Sequence, residues 1–256
     1  MSSCTAHPLL SDAEFMELLA LTEHADSVEL KLTIDERNQR RTLKSLDVDP
    51  LDAEIRQVFF FDTPDLQLSS AGVVVRARRV KGRGDDSVVK LRPVVPERIA
   101  KRLRASEGFG IEVDAMPGGF VCSGSMRHAL KEPRVRPTVD AGGPFRKLFS
   151  KEQRAFYAAH APEGLELDAL QVFGPVFVLK LRLTPPDFRH RLVAELWLYP
   201  DDTRILELSL RCPPRDTFHV AAETRAFLSE REVDTSGEQH TKTHRALEFF
   251  SSRLHK

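Results

Sequence analysis

Short runs along this chain alternate apolar with charged residues, and the charges recur two positions apart. Val28-Glu29-Leu30-Lys31-Leu32-Thr33-Ile34 is the first, followed by Val73-Val74-Val75-Arg76-Ala77-Arg78 and Val88-Val89-Lys90-Leu91-Arg92. Ile111-Glu112-Val113-Asp114, Val178-Leu179-Lys180-Leu181-Arg182-Leu183 and Leu206-Glu207-Leu208-Ser209-Leu210-Arg211 repeat the pattern. Residues i and i+2 of a strand share a face, roughly 6.5–7 Å apart. Each run therefore predicts a strand with one apolar face and one face of fixed charge. The expected strands are 27–34, 57–61, 73–78, 88–92, 109–115, 176–184, 191–199 and 204–211.

Between them, apolar spacing and caps predict helices. Ser11-Asp12-Ala13-Glu14 opens an amphipathic stretch over 11–22, and Asp35 can cap a helix running to about Leu46. Further helices are expected from Phe145 to about His160, over 215–231 and over 241–254. Residues 117–143 are rich in Gly, Pro and Ser and read as loops with one short helix. Asp62-Thr63-Pro64-Asp65 reads as a turn and Lys81–Asp86 as a polar hairpin loop. The fold class that follows is α+β: an eight-stranded antiparallel β-barrel with helices packed outside. No long linker interrupts the pattern. One domain over 1–256 is expected, with core strands at about 27–212 and C-terminal helices over 215–254.

Composition narrows the function classes. Hydrophobic residues make up 41% and charged residues 30%, enough for a packed core and unlike a disordered chain. Thirty-eight basic residues balance 38 acidic ones, so a globally basic nucleic-acid binder is not expected. Cys4, Cys122 and Cys212 have neither zinc-site nor disulfide spacing. No charged leader precedes an apolar run, and no stretch approaches about 18 apolar residues. The expectation is a reduced, cytoplasmic protein without a membrane or nucleic-acid partner.

The charged face is where chemistry is expected. Its basic members are Lys31, Arg76, Arg78, Lys90, Arg92, Lys180, Arg182 and Arg211, and its acidic members are Glu29, Glu112, Asp114, Glu195 and Glu207. On an open sheet this would be an ordinary solvated face. Turned inward by closure, it would concentrate positive charge at a high desolvation cost, which a polyanionic ligand relieves. Arg forks and Lys ammonium groups suit phosphate oxygens, and leftover carboxylates suit a hard divalent cation.

These residues resemble those of CYTH-type triphosphate tunnel proteins. That superfamily includes class IV adenylyl cyclases, thiamine triphosphatases, inorganic triphosphatases and fungal or viral RNA triphosphatases. Glu29-Leu30-Lys31 is similar to the end of the family's Glu-x-Glu-x-Lys signature. Phe60-Phe61-Asp62-Thr63-Pro64-Asp65-Leu66 and Ala71-Gly72-Val73-Val74-Val75-Arg76-Ala77-Arg78 resemble its second and third strands. Val89-Lys90-Leu91-Arg92, Lys180-Leu181-Arg182, Glu195 and Glu207–Arg211 continue the likeness over most of 27–212.

The resemblance implies an eight-stranded tunnel that grips a linear triphosphate. Lys31, Arg76, Arg78, Lys90, Arg92, Lys180, Arg182 and Arg211 would bind phosphate. Glu29, Glu195 and Glu207 would hold magnesium or manganese, with Glu112 and Asp114 as further tunnel acids. Glu29, Lys31 and Glu207 would serve catalysis, a triphosphatase reaction in which metal-activated water attacks the terminal phosphorus.

The chain departs from the family pattern at two positions. Ser27 stands where the first signature glutamate falls, and Ser209 where many members carry a second acid. Each serine removes a negative charge and a strong ligand. The phosphate grip is kept and the metal end thinned. Two functions are therefore expected in competition. One is metal-dependent hydrolysis of inorganic triphosphate or a triphosphorylated small molecule. The other is a weak or inactive polyphosphate- or nucleotide-binding regulatory module. An adenylyl cyclase ranks below both, because no base-recognition pocket is legible.

Other candidates carry bland readings beside sharper ones. Lys242 or Arg245 on the final helix could reach a tunnel ligand, or that helix could simply dock through Ala246, Leu247, Phe249 and Phe250. The Lys101–Arg104 run could steer a polyanion or merely be wet. Arg146 and Lys147 are expected to face solvent, and Asp62-Thr63 to cap a strand.

Overall fold

A computed structural model describes residues 22–239 and 241–254. Nearly all of the helix expected at 11–22 lies outside those residues, as do Cys4 and His240. Among the described residues there are nine strands: β1 (Ser27–Ile34), β2 (Glu54–Asp62), β3 (Val73–Val80), β4 (Asp86–Leu91), β5 (Phe109–Met116), β6 (Gly119–Ala129), β7 (Gln171–Leu183), β8 (Leu192–Leu198) and β9 (Arg204–Cys212). The helices are α1 (Gln39–Ser45), α2 (Gln67–Ser70), α3 (Lys101–Arg104), α4 (Val135–Asp140), α5 (Lys151–Ala158), α6 (Thr217–Glu230) and α7 (Lys242–Leu254).

The strands close into a barrel in the order β1-β5-β6-β4-β3-β2-β7-β8-β9. The barrel with helices outside matches the expected fold class, with two corrections. The strand count is nine rather than eight, because Gly119–Ala129 forms β6 where loops were expected. The barrel is mixed rather than wholly antiparallel, because β1 runs parallel to β5. The second correction follows from the first: strand directions cannot alternate all the way round a closed ring of odd number.

The Gly and Ser content that reads as loop has a packing role in β6. Gly118, with φ +91°, turns the chain from β5 into β6. A side chain at Gly124 would begin 3.1 Å from Ile99, so that strand lies close against its cover. Ser125 and Arg127 line the interior. In β2 the ladder shifts register between Val58 and Phe60 opposite Gly174, where a Cβ would lie 2.7 Å from the Val58 carbonyl oxygen.

Much of the apolar core lies between the outer surface of the barrel and its helices. Outward Val28, Leu192, Ala194, Leu208 and Leu210 pack with Val220, Phe227 and Leu228 of α6. Phe59, Phe61, Val75, Val89 and Met126 pack with Leu103, Val135 and Phe156 from α3, α4 and α5. A third cluster joins Val58, Phe60, Phe173, Val176 and Trp197 to Ala246 and Leu247 of α7. Cys122 and Cys212 are buried and free. Among the described residues no helix is long and apolar enough to cross a membrane.

The cap expected at Asp35 is present, but it opens a 3-10 turn over Glu36–Asn38 ahead of α1, and a second cap, at Ser150, stands inside the helix expected from Phe145. Asp35 accepts a hydrogen bond from Arg37 N, and Ser150 with Gln153 forms a capping box on α5. Asp62 accepts from the amides of Thr63, Leu68 and Ser69, fixing the turn that carries α2. The buried Gln153 amide donates to the Ser87 and Met126 carbonyls and accepts from the Ser87 hydroxyl. That residue ties α5 to β4 and β6. We expect Gln153→Leu to cost about 1–3 kcal/mol in urea unfolding by stranding these buried groups. An unchanged midpoint would show that the tie contributes nothing.

Candidate functional site

Strand alternation turns the charged positions into the barrel, where they line a cavity of about 740 Å³. Glu29, Lys31, Arg76, Arg78, Lys90, Arg92, Glu112, Lys180, Glu195, Glu207 and Arg211 all face it. Arg56, Arg127 and Lys242 join them. Among the described residues, ten basic side chains thus meet four glutamates in the lining.

The positive groups are organised by a few acids. Asp114 is fully buried behind the lining and pairs with Lys31 at 2.7 Å, Arg92 at 3.1 Å and Lys90 at 3.4 Å. Burial disfavours its charge, but Lys90, Lys31 and Arg92 outweigh burial and hold the carboxyl below its usual range. Lys31 also pairs with Glu29 at 3.2 Å. Burial opposes its charge, yet Glu29 and Asp114 raise the ammonium above its ordinary range. Glu112 takes Arg127 at 2.6 Å and also pairs with Arg211. Arg78 forks onto Asp86 through two bonds of 2.7 and 2.8 Å.

Arg76 differs from all of these. It sits on β3 opposite Val88, which in turn faces Arg127 on β6. No carboxylate among the described residues pairs with it. Burial, reinforced by Arg78, pushes its guanidinium down to about 10. It is a cation aimed into the cavity, with Asp86 and Glu195 acting on it only at longer range and no carboxylate among the described residues in direct contact. Burial likewise lowers Lys90 despite Asp114, and Lys180 despite Glu195.

The acidic end is arranged differently. Lys180, Glu195, Glu207 and Thr33 form one cross-strand row over β7, β8, β9 and β1. Like charges directly opposite repel, and a cation from outside the barrel separates them. Lys242, the first residue of α7, reaches Glu195 at 2.7 Å and Glu207 at 2.6 Å. Its ammonium also lies 5.1 Å from the centre of the Trp197 ring. Glu195 further accepts from Lys180 at 3.0 Å and from Trp197 Nε1 at 3.3 Å. Burial would raise Glu195, but Lys242 and Lys180 hold it well below its usual range.

The remaining candidates divide. Arg182 does not line the cavity and turns to Glu54 at 3.3 Å. Ser27 is buried opposite Glu112 across the parallel pair, and Ser209 lies opposite Lys31. The final helix docks through Ala246 and Leu247, which are buried, and its Lys242 lines the cavity. Arg245 instead lies 3.9 Å from Asp201. Arg146 is exposed beside Asp168. In the Lys101–Arg104 run only Leu103 is buried.

Sequence reasoning missed Arg56 because β2 begins earlier than its aromatic run suggests, and Arg127 because β6 reads as loop. For Arg56 the signal is phase, since Arg56, Val58 and Phe60 share one strand face.

No family model matches the chain, and no curated protein matches it by sequence. Solved structures do share its fold. A candidate adenylate cyclase of Bacillus halodurans superposes with a TM-score of 0.60 at 13% identity, covering 86% of this chain and 97% of that one. A candidate adenylyl cyclase of Hippeastrum, for which a dominant triphosphatase activity is described, gives 0.59 at 15% identity over 82% and 91%. The likeness is one of fold, a barrel of the kind the sequence resemblance implies.

Asp114 generates a test of the charge network. Its folded pKa is depressed, so its stabilisation is complete above the unfolded value near about 3.9 and is lost as pH falls below it. We expect Asp114→Asn to lose about 3–5 kcal/mol at neutral pH by removing the buried counter-charge that Lys31, Lys90 and Arg92 share. Its stability should also fall less steeply than that of the parent below about pH 4. Parallel acid limbs in urea melts would refute this.

Proposed function

We propose that the barrel is a tunnel for a linear triphosphate, which it binds and hydrolyses. Arg76 carries this reading as a cavity-facing guanidinium that no carboxylate among the described residues pairs with directly. Triphosphate oxygens would supply the missing counter-charge. Arg78, Lys90, Arg127 and Lys180 line the same cavity and extend the grip.

The reaction asks for little covalent chemistry from the protein. Phosphoryl transfer passes through a loose transition state, so positioning and charge neutralisation supply most of the catalysis. Arg76, Arg78 and Lys90 would hold non-bridging oxygens and neutralise charge on the departing diphosphate. Lys31 would hold the terminal phosphoryl group. Glu29, half-buried at the cavity wall, would orient the attacking water. Inorganic triphosphate is the favoured substrate, because among the described lining residues Trp197 is the sole Phe, Tyr or Trp and it is buried beside Lys242. That leaves no platform for a nucleobase and argues against cyclase chemistry.

Magnesium or manganese is the cofactor that the resemblance implies, and the carboxylates do not fit one as they are arranged. Glu29 is taken by Lys31, and Glu195 and Glu207 share Lys242. Among the described residues no three His, Cys, Asp or Glu side chains come together as a metal site. No step is routed through a metal here. The same neutralised acids favour a second reading, capture of polyphosphate without turnover.

Calorimetry with inorganic triphosphate tests binding, and phosphate release tests turnover. We expect Arg76→Ala and Lys90→Ala each to weaken binding by at least about tenfold, equivalent to about 1.4 kcal/mol. Arg182→Ala should change it by less than about threefold. Unchanged affinity in both of the first two would overturn the tunnel reading. Binding without phosphate release would leave the capture module.

A further inference from the structure

The acidic end of the tunnel already holds a cation. Glu195 and Glu207 face each other across β8 and β9, and the Lys242 ammonium lies within 2.7 Å of both. Two carboxylates facing one another are the ordinary invitation to a divalent ion. Here a side chain stands between them.

Lys242 is built into that place. Ala246 and Leu247, one helical turn on, are buried against Val58, Phe60 and Trp197. The Tyr199 hydroxyl donates to the Lys242 carbonyl at 3.1 Å, and Ser251 donates to the Pro64 carbonyl at 2.7 Å. The helix therefore cannot withdraw its lysine without exposing apolar surface. The ring of Trp197 favours a cation at the same point. Burial opposes the charge, but Glu195 and Glu207 raise the ammonium above its usual range and keep it protonated. With Lys180 on the far side of Glu195, two lysines balance the two glutamates. A divalent ion entering here would leave local positive charge in excess and the Lys242 ammonium without a partner.

We propose that Lys242 is the resident cation of the tunnel's acidic end, standing in for a divalent metal, so that this chain binds its polyanion without magnesium or manganese. The proposal rests on the tunnel reading above and specifies how that site works. Lys242 also lies at the N-terminus of a 13-residue helix, whose positive end adds to the charge it presents.

The test uses the full chain and inorganic triphosphate. Affinity is measured by calorimetry with chelator and with magnesium, and manganese binding without phosphate is followed by electron paramagnetic resonance. We expect triphosphate affinity to agree within about threefold between chelator and magnesium. Wild-type protein should take up no manganese at Glu195 and Glu207. Lys242→Met should gain a manganese site that Glu207→Gln removes in the double variant. A fall of more than about tenfold in triphosphate affinity with chelator overturns the proposal while leaving the tunnel reading intact. So does a manganese site in wild type that Glu207→Gln abolishes, or a folded Lys242→Met protein that gains none. Absence of triphosphate binding under both conditions overturns the tunnel reading itself, and the proposal with it.

Discussion

Lining one cavity with ten basic side chains sets like charges against one another, and the rest of the structure accommodates that constraint. Asp114 does most to meet it. One buried carboxylate gathers Lys31, Lys90 and Arg92, from β1, β4 and the residue just after β4. Glu112 performs the same service for Arg127 and Arg211 at more open positions, their side chains 43% and 52% exposed. Opposite charges at such partly buried positions attract more strongly than at a surface. The pairs therefore hold strands in register as well as balancing charge. Arg76 is left without a paired carboxylate among the described residues, and such a cation pointing into a cavity is a request for an anion.

A charged interior also decides where apolar residues go. Small barrels often fill their lumen with side chains. This lumen is polar over much of its length, so burial is found on the outside, under α3 to α6. The exception is the apolar ring of Val58, Phe60, Phe173, Val176 and Trp197, which receives α7. That docking carries Lys242 to the acid pair. Hydrophobic contact thus positions an electrostatic group, and the helix serves packing and chemistry together.

Most of the strands and nearly all of the charged set were legible because period-two alternation is a local property. Val73–Arg78 and Val178–Leu183 declare their inward residues without reference to any neighbour. β6 was not legible, because Gly119, Gly124, Ser123 and Ser125 have low strand propensity and carry no alternating apolar signal. They are tolerated because neighbouring strands on both sides supply hydrogen bonds and because Gly124 lets Ile99 pack closely. Losing β6 from the count also hid the parallel pairing of β1 with β5, since parity is a property of the whole ring. The placement of Arg182 shows a subtler limit. It shares the strand face of Lys180, yet lies nearer the strand end, where Glu54 captures it.

By itself, the sequence determined that the chain builds a β-rich fold with one charged and one apolar strand face, and named most of the side chains that meet in the cavity. Those are consequences of side-chain direction along a strand, which alternation encodes residue by residue. Only the tertiary structure decided which charges are spent on one another and which stay free for a ligand. Asp114 beneath three cations, Lys242 between two glutamates and Arg76 with no paired carboxylate among the described residues are outcomes of strand order and helix docking. Coulomb attraction acts over a few ångströms in space, and a separation of 35 residues between Glu207 and Lys242 says nothing about that distance until the barrel closes.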